Sequence, residues 1–174
     1  CPVCSSTTIS NYRYSLVRCE DCGLIMSQKI CQPLLNEEMD TVFGLDFAKN
    51  KSIWNTLQDK WNNARTLARI SKYNRKAGLR FLDVGVGSGA LLVAAKSSGY
   101  DVVGCDLSKQ ICERISSTYS IPMYDKPLSE IKDKGPFNII VLNHVLEHVN
   151  NPVEFLKDVC ALLSSDGILH IAVP

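Results

Sequence analysis

Three glycines at alternate positions, Gly85, Gly87 and Gly89, directly follow the strand-like stretch 81–84. Glycine is used where the backbone turns tightly or approaches a bound group without a Cβ in the way. The helix predicted to begin near Ser88 directs unpaired N–H groups, and the positive end of its dipole, at the space over this turn. The stretch therefore predicts a turn that holds a polar or anionic group of a ligand.

Asp83, two residues before the first glycine, helps to distinguish two ligand classes. The glycines alone also satisfy the dinucleotide fingerprint G-x-G-x-x-G/A, with Asp106 at about the expected spacing of 20 residues. A dinucleotide-binding strand normally places an apolar residue where Asp83 stands, whereas a carboxylate is a partner for a cation. S-adenosylmethionine carries an ammonium and a sulfonium group, so Asp83 favours its methionine half over a nicotinamide dinucleotide.

Asp106 ends the second predicted strand, 101–106. A carboxylate at this position can accept hydrogen bonds from both hydroxyls of a ribose. Capping the next helix is the alternative role for Asp106, but Ser108 is itself a suitable cap. We expect Asp106 to bind the ribose of an adenosyl group and Leu107 to form an apolar wall for the adenine.

A polar cluster, Asn143, His144, Glu147 and His148, follows the fourth predicted strand, 137–142. We expect Asn143 to face the methionine moiety. Three interpretations apply to the other side chains: His144 is a general base near the methyl group, Glu147 and His148 bind a metal, or all three cap and pack.

His170 lies in the fifth predicted strand, 167–173, and alternates there with apolar neighbours. This pattern favours a packed strand residue over a ligand-binding one.

Four cysteines at the start of the chain form two C-x-x-C pairs, Cys1 with Cys4 and Cys19 with Cys22. Their spacing is close to that of a Cys₄ zinc ribbon, in which each pair offers two thiolates to one tetrahedral ion. Four sulfur ligands leave no open position, so we expect structural rather than catalytic Zn²⁺. The stretch 11–18 is predicted to form the hairpin between the pairs, and Cys31 is interpreted as a spare thiol.

The overall composition indicates a globular protein, since 45% of the 174 residues are hydrophobic. The formal net charge of +1 offers no general attraction to nucleic acid or anionic membranes. We find no run of eighteen apolar residues and no signal peptide, and therefore predict a cytoplasmic protein. Because the chain begins on a cysteine and stops just after a strand-like run, we expect a fragment of a longer protein.

The elements that position these residues follow from the pattern along the chain. Apolar residues at three- and four-residue steps predict a helix over 46–77, which covers the sheet or closes over the cofactor with a tryptophan or Phe43. Alternating strands and helices from residue 78 predict a doubly wound, Rossmann-like parallel sheet with its site at the carboxyl edge. We predict a zinc ribbon over 1–30, a linker and lead-in helix over 31–77, and a cofactor-binding domain over 78–174.

Three stretches read LDVGVGSG, VVGCD and NHVLEHVNNPVEFL, and the two cysteine pairs precede them. Together these features resemble bacterial class I S-adenosylmethionine-dependent methyltransferases with an N-terminal zinc ribbon. Several such proteins methylate sugars or small metabolites. The resemblance implies the sheet order 3-2-1-4-5, with the last two strands of the family missing. It also implies methyl transfer to a small-molecule or sugar acceptor, and cofactor binding by Asp83, Gly85, Gly87, Gly89, Asp106, Leu107 and Asn143.

Three other functions stay open at this point. The first is a methyltransferase that acts on RNA with the ribbon as substrate-binding module, but the near-neutral charge of the chain disfavours nucleic acid as a partner. A nicotinamide-dependent oxidoreductase is opposed by Asp83. A non-catalytic ribbon protein with an incomplete cofactor fold is the third alternative. The sequence names neither the methyl acceptor nor the oligomeric state.

Overall fold

The computed structural model describes residues 1–14, 16–27, 53–73 and 78–174. The predictions for Cys31, for Phe43 and for most of the 31–77 linker lie outside these residues.

Residues 1–27, hereafter the ribbon, form a three-stranded antiparallel sheet in the order β1–β2–β3. Strands β1 (Ile9–Asn11) and β2 (Leu16–Cys19) make the predicted hairpin, with Ile9 opposite Cys19. Strand β3 (Ile25–Ser27), which we did not predict, pairs with β2. Val17 and Cys19 are the buried hydrophobic residues of this unit, so the described ribbon has almost no core of its own.

The described residues 53–73 and 78–174 form a five-stranded parallel sheet and four α-helices. Its strands are β4 (Arg80–Val84), β5 (Asp101–Cys105), β6 (Met123–Tyr124), β7 (Phe137–Asn143) and β8 (Leu163–Ala172). They lie in the order β6–β5–β4–β7–β8, which is 3-2-1-4-5 when the strands are counted within this sheet. The helices are α1 (Ile53–Tyr73), α2 (Ala90–Ser97), α3 (Lys109–Tyr119) and α4 (Pro152–Leu162). The prediction of an α/β fold with a parallel sheet is confirmed.

The central strands β4, β5 and β7 are buried on both faces, which explains why they are largely apolar. On one face, Phe81 and Val141 pack with Ile70 of α1 and with residues of α2 and α3. On the other face, Leu82 and Ile140 pack with α4 and with the two short 3₁₀ turns that precede β7. These two cores fix the carboxyl ends of β4, β5, β7 and β8 relative to one another.

Two strands differ from their predicted bounds. The third strand of the sheet, β6, is predicted over 121–124 from the sequence but begins at Met123, directly after Pro122, which has no N–H to give to a ladder. β8 begins at Leu163 rather than at residue 167, because Leu163 pairs with Phe137 before the pairing resumes between Ile168 and Ile139. Residues 164–167 of β8 lie opposite the single residue Asn138 of β7 and form an irregularity in the ladder.

Candidate active site and metal centre

The glycine turn connects β4 to α2, and its three glycines all have left-handed backbone angles, with φ of 70°, 50° and 79° at Gly85, Gly87 and Gly89. A Cβ on Gly87 would meet no atom within 4 Å, so this residue faces open space. A Cβ on Gly89 would lie 2.9 Å from Cδ1 of Ile115. Gly89 therefore allows the start of α2 to lie against α3, and Gly87 is the glycine most open to a ligand.

The backbone of this turn is held by side chains from the next strand and helix. The Gly87 N–H donates to Oδ2 of Asp106 at 3.4 Å, and the Gly87 carbonyl accepts from Nη2 of Arg114 at 3.0 Å. The Gly85 N–H donates to the carbonyl of Cys105 at 2.8 Å. The turn is thus fixed to β5 and α3.

Asp83 lies at the carboxyl-terminal end of β4 and is only 3% exposed. Burial, and to a lesser degree the nearby charge of Asp106, raises the pKa of Asp83 to about 8. Its carboxyl group is therefore mostly neutral at pH 7 in the absence of a cation. A bound ammonium group would favour the ionised form, because an opposite charge lowers the pKa of an acid.

Asp106 follows β5 and is 9% exposed. Its Oδ1 accepts from the Ser108 N–H at 2.9 Å, while the Ser108 hydroxyl caps α3 by accepting from the Ile111 N–H at 3.3 Å. Asp106 thus stabilises the local turn and Ser108 is the helix cap, as predicted. A carboxylate oxygen can accept more than one hydrogen bond. Leu107, beside Asp106, is 49% exposed.

A cavity of about 430 Å³ lies at the carboxyl edge of β4, β7 and β8, against one side of α1. Four residues predicted from the sequence line it, namely Asp83, Gly85, Asn143 and His144. Gly87, Gly89, Asp106 and Leu107 are not part of its lining. The structure therefore places four of the predicted site residues in the lining of one cavity and four outside it.

His144 lies at the end of β7 with a left-handed φ of 55°, and its N–H donates to the carbonyl of Ala172 at 2.8 Å. Its Nδ1 lies 3.3 Å from Oε1 of Glu147, and 64% of its side chain is exposed. Glu147 therefore orients an imidazole that solvent and a substrate can both reach. His148 lies in the 3₁₀ turn Leu146–His148 and does not line the cavity.

His170 differs from its predicted role, because it lines the cavity rather than being fully packed. Its Nε2 is buried without a hydrogen-bond partner, and so is Oδ1 of Asn143 on the neighbouring strand. Burial, followed by the positive charge of Arg69, lowers the pKa of His170. The wall of the cavity thus holds two buried polar atoms, Nε2 of His170 and Oδ1 of Asn143, for which the described residues provide no hydrogen-bond partner.

One side of α1 also lines the cavity, and sequence reasoning missed its importance. Its contribution is entirely polar or charged, and comprises Asp59, Asn62, Asn63, Arg65, Thr66 and Arg69. These residues recur at steps of three and four, which is a helical face. The same spacing is present in the sequence, but a polar face opposite an apolar stripe is also typical of a helix side that faces solvent.

The four predicted cysteine ligands come together in the ribbon, with their sulfur atoms all within 4.8 Å of one another. The Sγ atoms of Cys1 and Cys22 are 3.6 Å apart, and those of Cys4 and Cys19 are 3.5 Å apart. A tetrahedral zinc site with Zn–S bonds of ~2.3 Å has sulfur atoms ~3.8 Å apart. The donor set and its spacing therefore fit Zn²⁺.

The backbone of the two cysteine pairs has the same shape. The Ser5 N–H donates to the carbonyl of Cys1 at 3.0 Å, and the Gly23 N–H donates to the carbonyl of Cys19 at 2.9 Å. A hydrogen bond from the backbone of Cys22 lowers the pKa of Cys19 to about 7. Because the thiolate is the form that binds metal, this turn prepares Cys19 as a ligand.

No other group of three or more His, Cys, Asp or Glu side chains is placed to hold a metal ion among the described residues. In particular, His144, Glu147 and His148 do not form such a group. None of the described helices is long and apolar enough to cross a membrane.

Residues 54–174 match a family model described as a methyltransferase domain. The match covers most of the 174 residues, so the chain belongs to this methyltransferase family.

Curated relatives include ubiquinone biosynthesis O-methyltransferases. The protein of that name from Pelagibacter ubique (strain HTCC1062) is 31% identical over 103 residues, which are 54% of this chain and 41% of the relative. The protein from Caulobacter sp. (strain K31) is 30% identical over 104 residues, which are 55% of this chain and 40% of the relative. The matched region therefore spans less than half the length of these relatives.

Solved structures share the fold. The plantazolicin methyltransferase BpumL, in complex with a monoazolic desmethylPZN analog and SAH, aligns with a TM-score of 0.60 at 18% identity over 76% of this chain and 55% of that chain. The PH0226 protein from Pyrococcus horikoshii OT3 aligns with a TM-score of 0.55 at 18% identity over 70% of this chain and 55% of that chain. At 18% sequence identity, these similarities are evidence for a shared fold alone.

Proposed function

We propose that this chain binds S-adenosylmethionine and transfers its methyl group to a small-molecule or sugar acceptor. The observation that carries the proposal is Asp83, a buried acid at a glycine turn that is electrostatically suited to a cation. The names of the curated relatives and the SAH in the BpumL complex support this choice of cofactor.

The proposed contacts follow the division of the site. Asp83 and Asn143 hold the ammonium end of the methionine moiety, and the unpartnered Oδ1 of Asn143 supplies a hydrogen-bond acceptor for it. The open backbone at Gly87 faces the cofactor, and Asp106 accepts hydrogen bonds from the ribose. Leu107, which is half exposed, covers one face of the adenine.

When bound, S-adenosylmethionine supplies a methyl group on a sulfonium sulfur, which keeps the electron pair of the broken bond and leaves as S-adenosylhomocysteine. The residues of the chain contribute alignment and exclusion of water, effects that lower a barrier by roughly 7–11 kcal/mol when the geometry is good. For a hydroxyl acceptor, His144 takes the proton, with Glu147 orienting its imidazole and stabilising the imidazolium.

We further propose that Cys1, Cys4, Cys19 and Cys22 bind one structural Zn²⁺. The four sulfur ligands would leave no position for a substrate, and the described ribbon has almost no hydrophobic core, so the ion would supply much of its folding free energy. The test is metal content after purification and the effect of Cys4→Ser. We expect about one zinc per chain, lost in Cys4→Ser but kept in the control Cys160→Ser, whose cysteine lies in α4.

Calorimetry with S-adenosylhomocysteine and, separately, with NAD tests the cofactor proposal. We expect the wild type to bind S-adenosylhomocysteine and not NAD. Asp83→Ala and Asp106→Ala should each weaken binding by about 10-fold or more, as expected when a hydrogen bond to a charged group is lost. The control is Asp101→Ala, because Asp101 lies at the opposite end of β5. Binding of NAD alone would instead support an oxidoreductase.

A further inference from the structure

The side of α1 that faces the cavity is unusual for a helix that covers a sheet. Such a helix normally presents an apolar stripe to the core, and α1 does so with Leu67 and Ile70. The adjacent positions, which lie over the cavity, are all polar or charged. This side of α1 is therefore suited to contact a polar ligand rather than to pack.

Two arginines dominate this polar side. Arg65 and Arg69 both line the cavity and are four residues apart, a spacing at which like charges on a helix destabilise it. Within the described part of the chain neither arginine forms an ion pair. The Arg65 guanidinium lies 4.4 Å from the centre of the Trp61 ring, which orients it. An anionic group between the two arginines would offset their repulsion.

The opposite wall of the cavity offers a hydrogen-bonding group that the proposed cofactor contacts leave unused. His170 pairs with Val141, so its side chain lies on the α1 side of the sheet. Its buried Nε2 has no hydrogen-bond partner among the described residues, which is unfavourable for a buried polar atom. The positive charge of Arg69 reaches this imidazole, since it contributes to the lowered pKa of His170. Arg69 and His170 therefore face the same volume.

We propose that the methyl acceptor carries an anionic group, a carboxylate or a phosphate, which binds between Arg65 and Arg69, with a polar group of the acceptor hydrogen-bonded to His170. This inference rests on the proposed function, because it assigns the Asp83 side of the cavity to the cofactor. It adds a substrate class, an anionic and polar small molecule, and it adds three acceptor-binding residues.

The test uses two simple anions, pyrophosphate and malonate, titrated by calorimetry into the chain saturated with S-adenosylhomocysteine at low ionic strength. We expect the wild type to bind at least one of them with a millimolar or lower Kd. The double variant Arg65→Gln, Arg69→Gln should weaken that binding at least 10-fold. The control is Lys72→Gln, which removes a positive charge from the same helix at a residue outside the cavity. Preference for pyrophosphate or malonate distinguishes a phosphate from a carboxylate acceptor.

A second readout is specific to the site. An anion beside Arg69 neutralises part of its charge, so binding should raise the pKa of His170, followed by NMR of its imidazole and assigned with His170→Gln. The comparison with the double variant is essential because other titratable side chains line the cavity, namely Asp59, Asp83 and His144. In the double variant the anion should leave the His170 titration unchanged.

Three results would overturn the inference. The first is that the wild type has no detectable affinity for either anion, and the second is that wild type and double variant bind the anions equally well. The third is that the double variant no longer binds S-adenosylhomocysteine but still binds 5′-methylthioadenosine. The last result would assign the arginines to the carboxylate of the cofactor. If the wild type fails to bind S-adenosylhomocysteine, the proposed function fails, and the same anion titrations on the ligand-free chain then decide the arginine site separately.

Discussion

The buried carboxyl group of Asp83 should make cofactor binding strongly dependent on pH. The pKa of Asp83 in the free protein is about 8. Its carboxyl group is therefore ionised to about 1% at pH 6 and to about half at pH 8. If the ionised form binds the ammonium group, the affinity for S-adenosylhomocysteine rises by about 50-fold between these two pH values. About one proton is released per ligand bound at pH 7.

The assay is calorimetry at pH 6, 7 and 8, repeated in buffers of different ionisation enthalpy to count the released protons. Asp83→Asn is the matched variant, because its amide resembles the protonated carboxyl group. We expect the ratio of the two Kd values, variant over wild type, to rise by at least 10-fold between pH 6 and pH 8. Titration of the other groups is common to both proteins and cancels in this ratio. Parallel pH profiles for the two proteins would refute the reasoning.

The same pKa shift predicts the pH dependence of stability. The folded-state pKa of Asp83 lies above the value of 3.8 expected for an unperturbed aspartate, so the folded protein binds more protons than the unfolded chain between about pH 4 and pH 8. Stability contributed by protonated Asp83 is therefore lost as the pH rises through that window. Thermal unfolding should show a wild-type Tm that falls relative to that of Asp83→Asn between pH 6 and 9. Saturating S-adenosylhomocysteine should reduce the difference.

Three other outcomes follow from the site and the ribbon. Asp106→Asn should weaken binding of adenosine, which lacks the methionine part, by about 10-fold in calorimetry, whereas Asp83→Asn should leave adenosine binding unchanged. Removal of zinc with a chelator should expose the ribbon to limited proteolysis while the far-UV circular dichroism of the α/β part persists; a ribbon that stays protected would contradict the zinc proposal. Gly89→Ala should lower the free energy of unfolding by about 1–3 kcal/mol in denaturant titrations, and more than Gly87→Ala, because only the former places a Cβ against a neighbouring side chain. Equal losses for both glycines would show that backbone conformation alone sets the cost.

Much of the fold could be predicted because its signals are local. The apolar runs of β4 and β7 indicate strands buried on both faces, and the glycine turn marks where a strand passes into a helix. The cysteine pairs determine their own geometry through tight turns. Asp83, Asn143 and His144 reach one cavity because parallel strands bring their carboxyl ends to the same edge of the sheet.

The remainder depends on contacts between distant parts of the chain. His170 alternates with apolar neighbours, which indicates the sheet face it occupies but not that a cavity opens at that end of the face. The polar side of α1 lines a cavity because the helix packs against β8, a contact that the sequence of the helix alone does not indicate. Likewise, the early start of β8 depends on Leu163 reaching Phe137, a pairing that no local signal indicates.

The hydrogen bonds that Gly87 makes to Asp106 and Arg114 have a consequence for affinity. A glycine-rich loop that was disordered before binding would lose its conformational entropy together with the ligand, at about 1–2 kcal/mol per residue. Here the turn is ordered when α3 packs onto the sheet, so this entropy is lost during folding instead. The turn is preorganised, and the binding free energy of the cofactor is not spent on shaping it. Hydrogen exchange at the Gly87 amide should accordingly be slow even before any ligand is added.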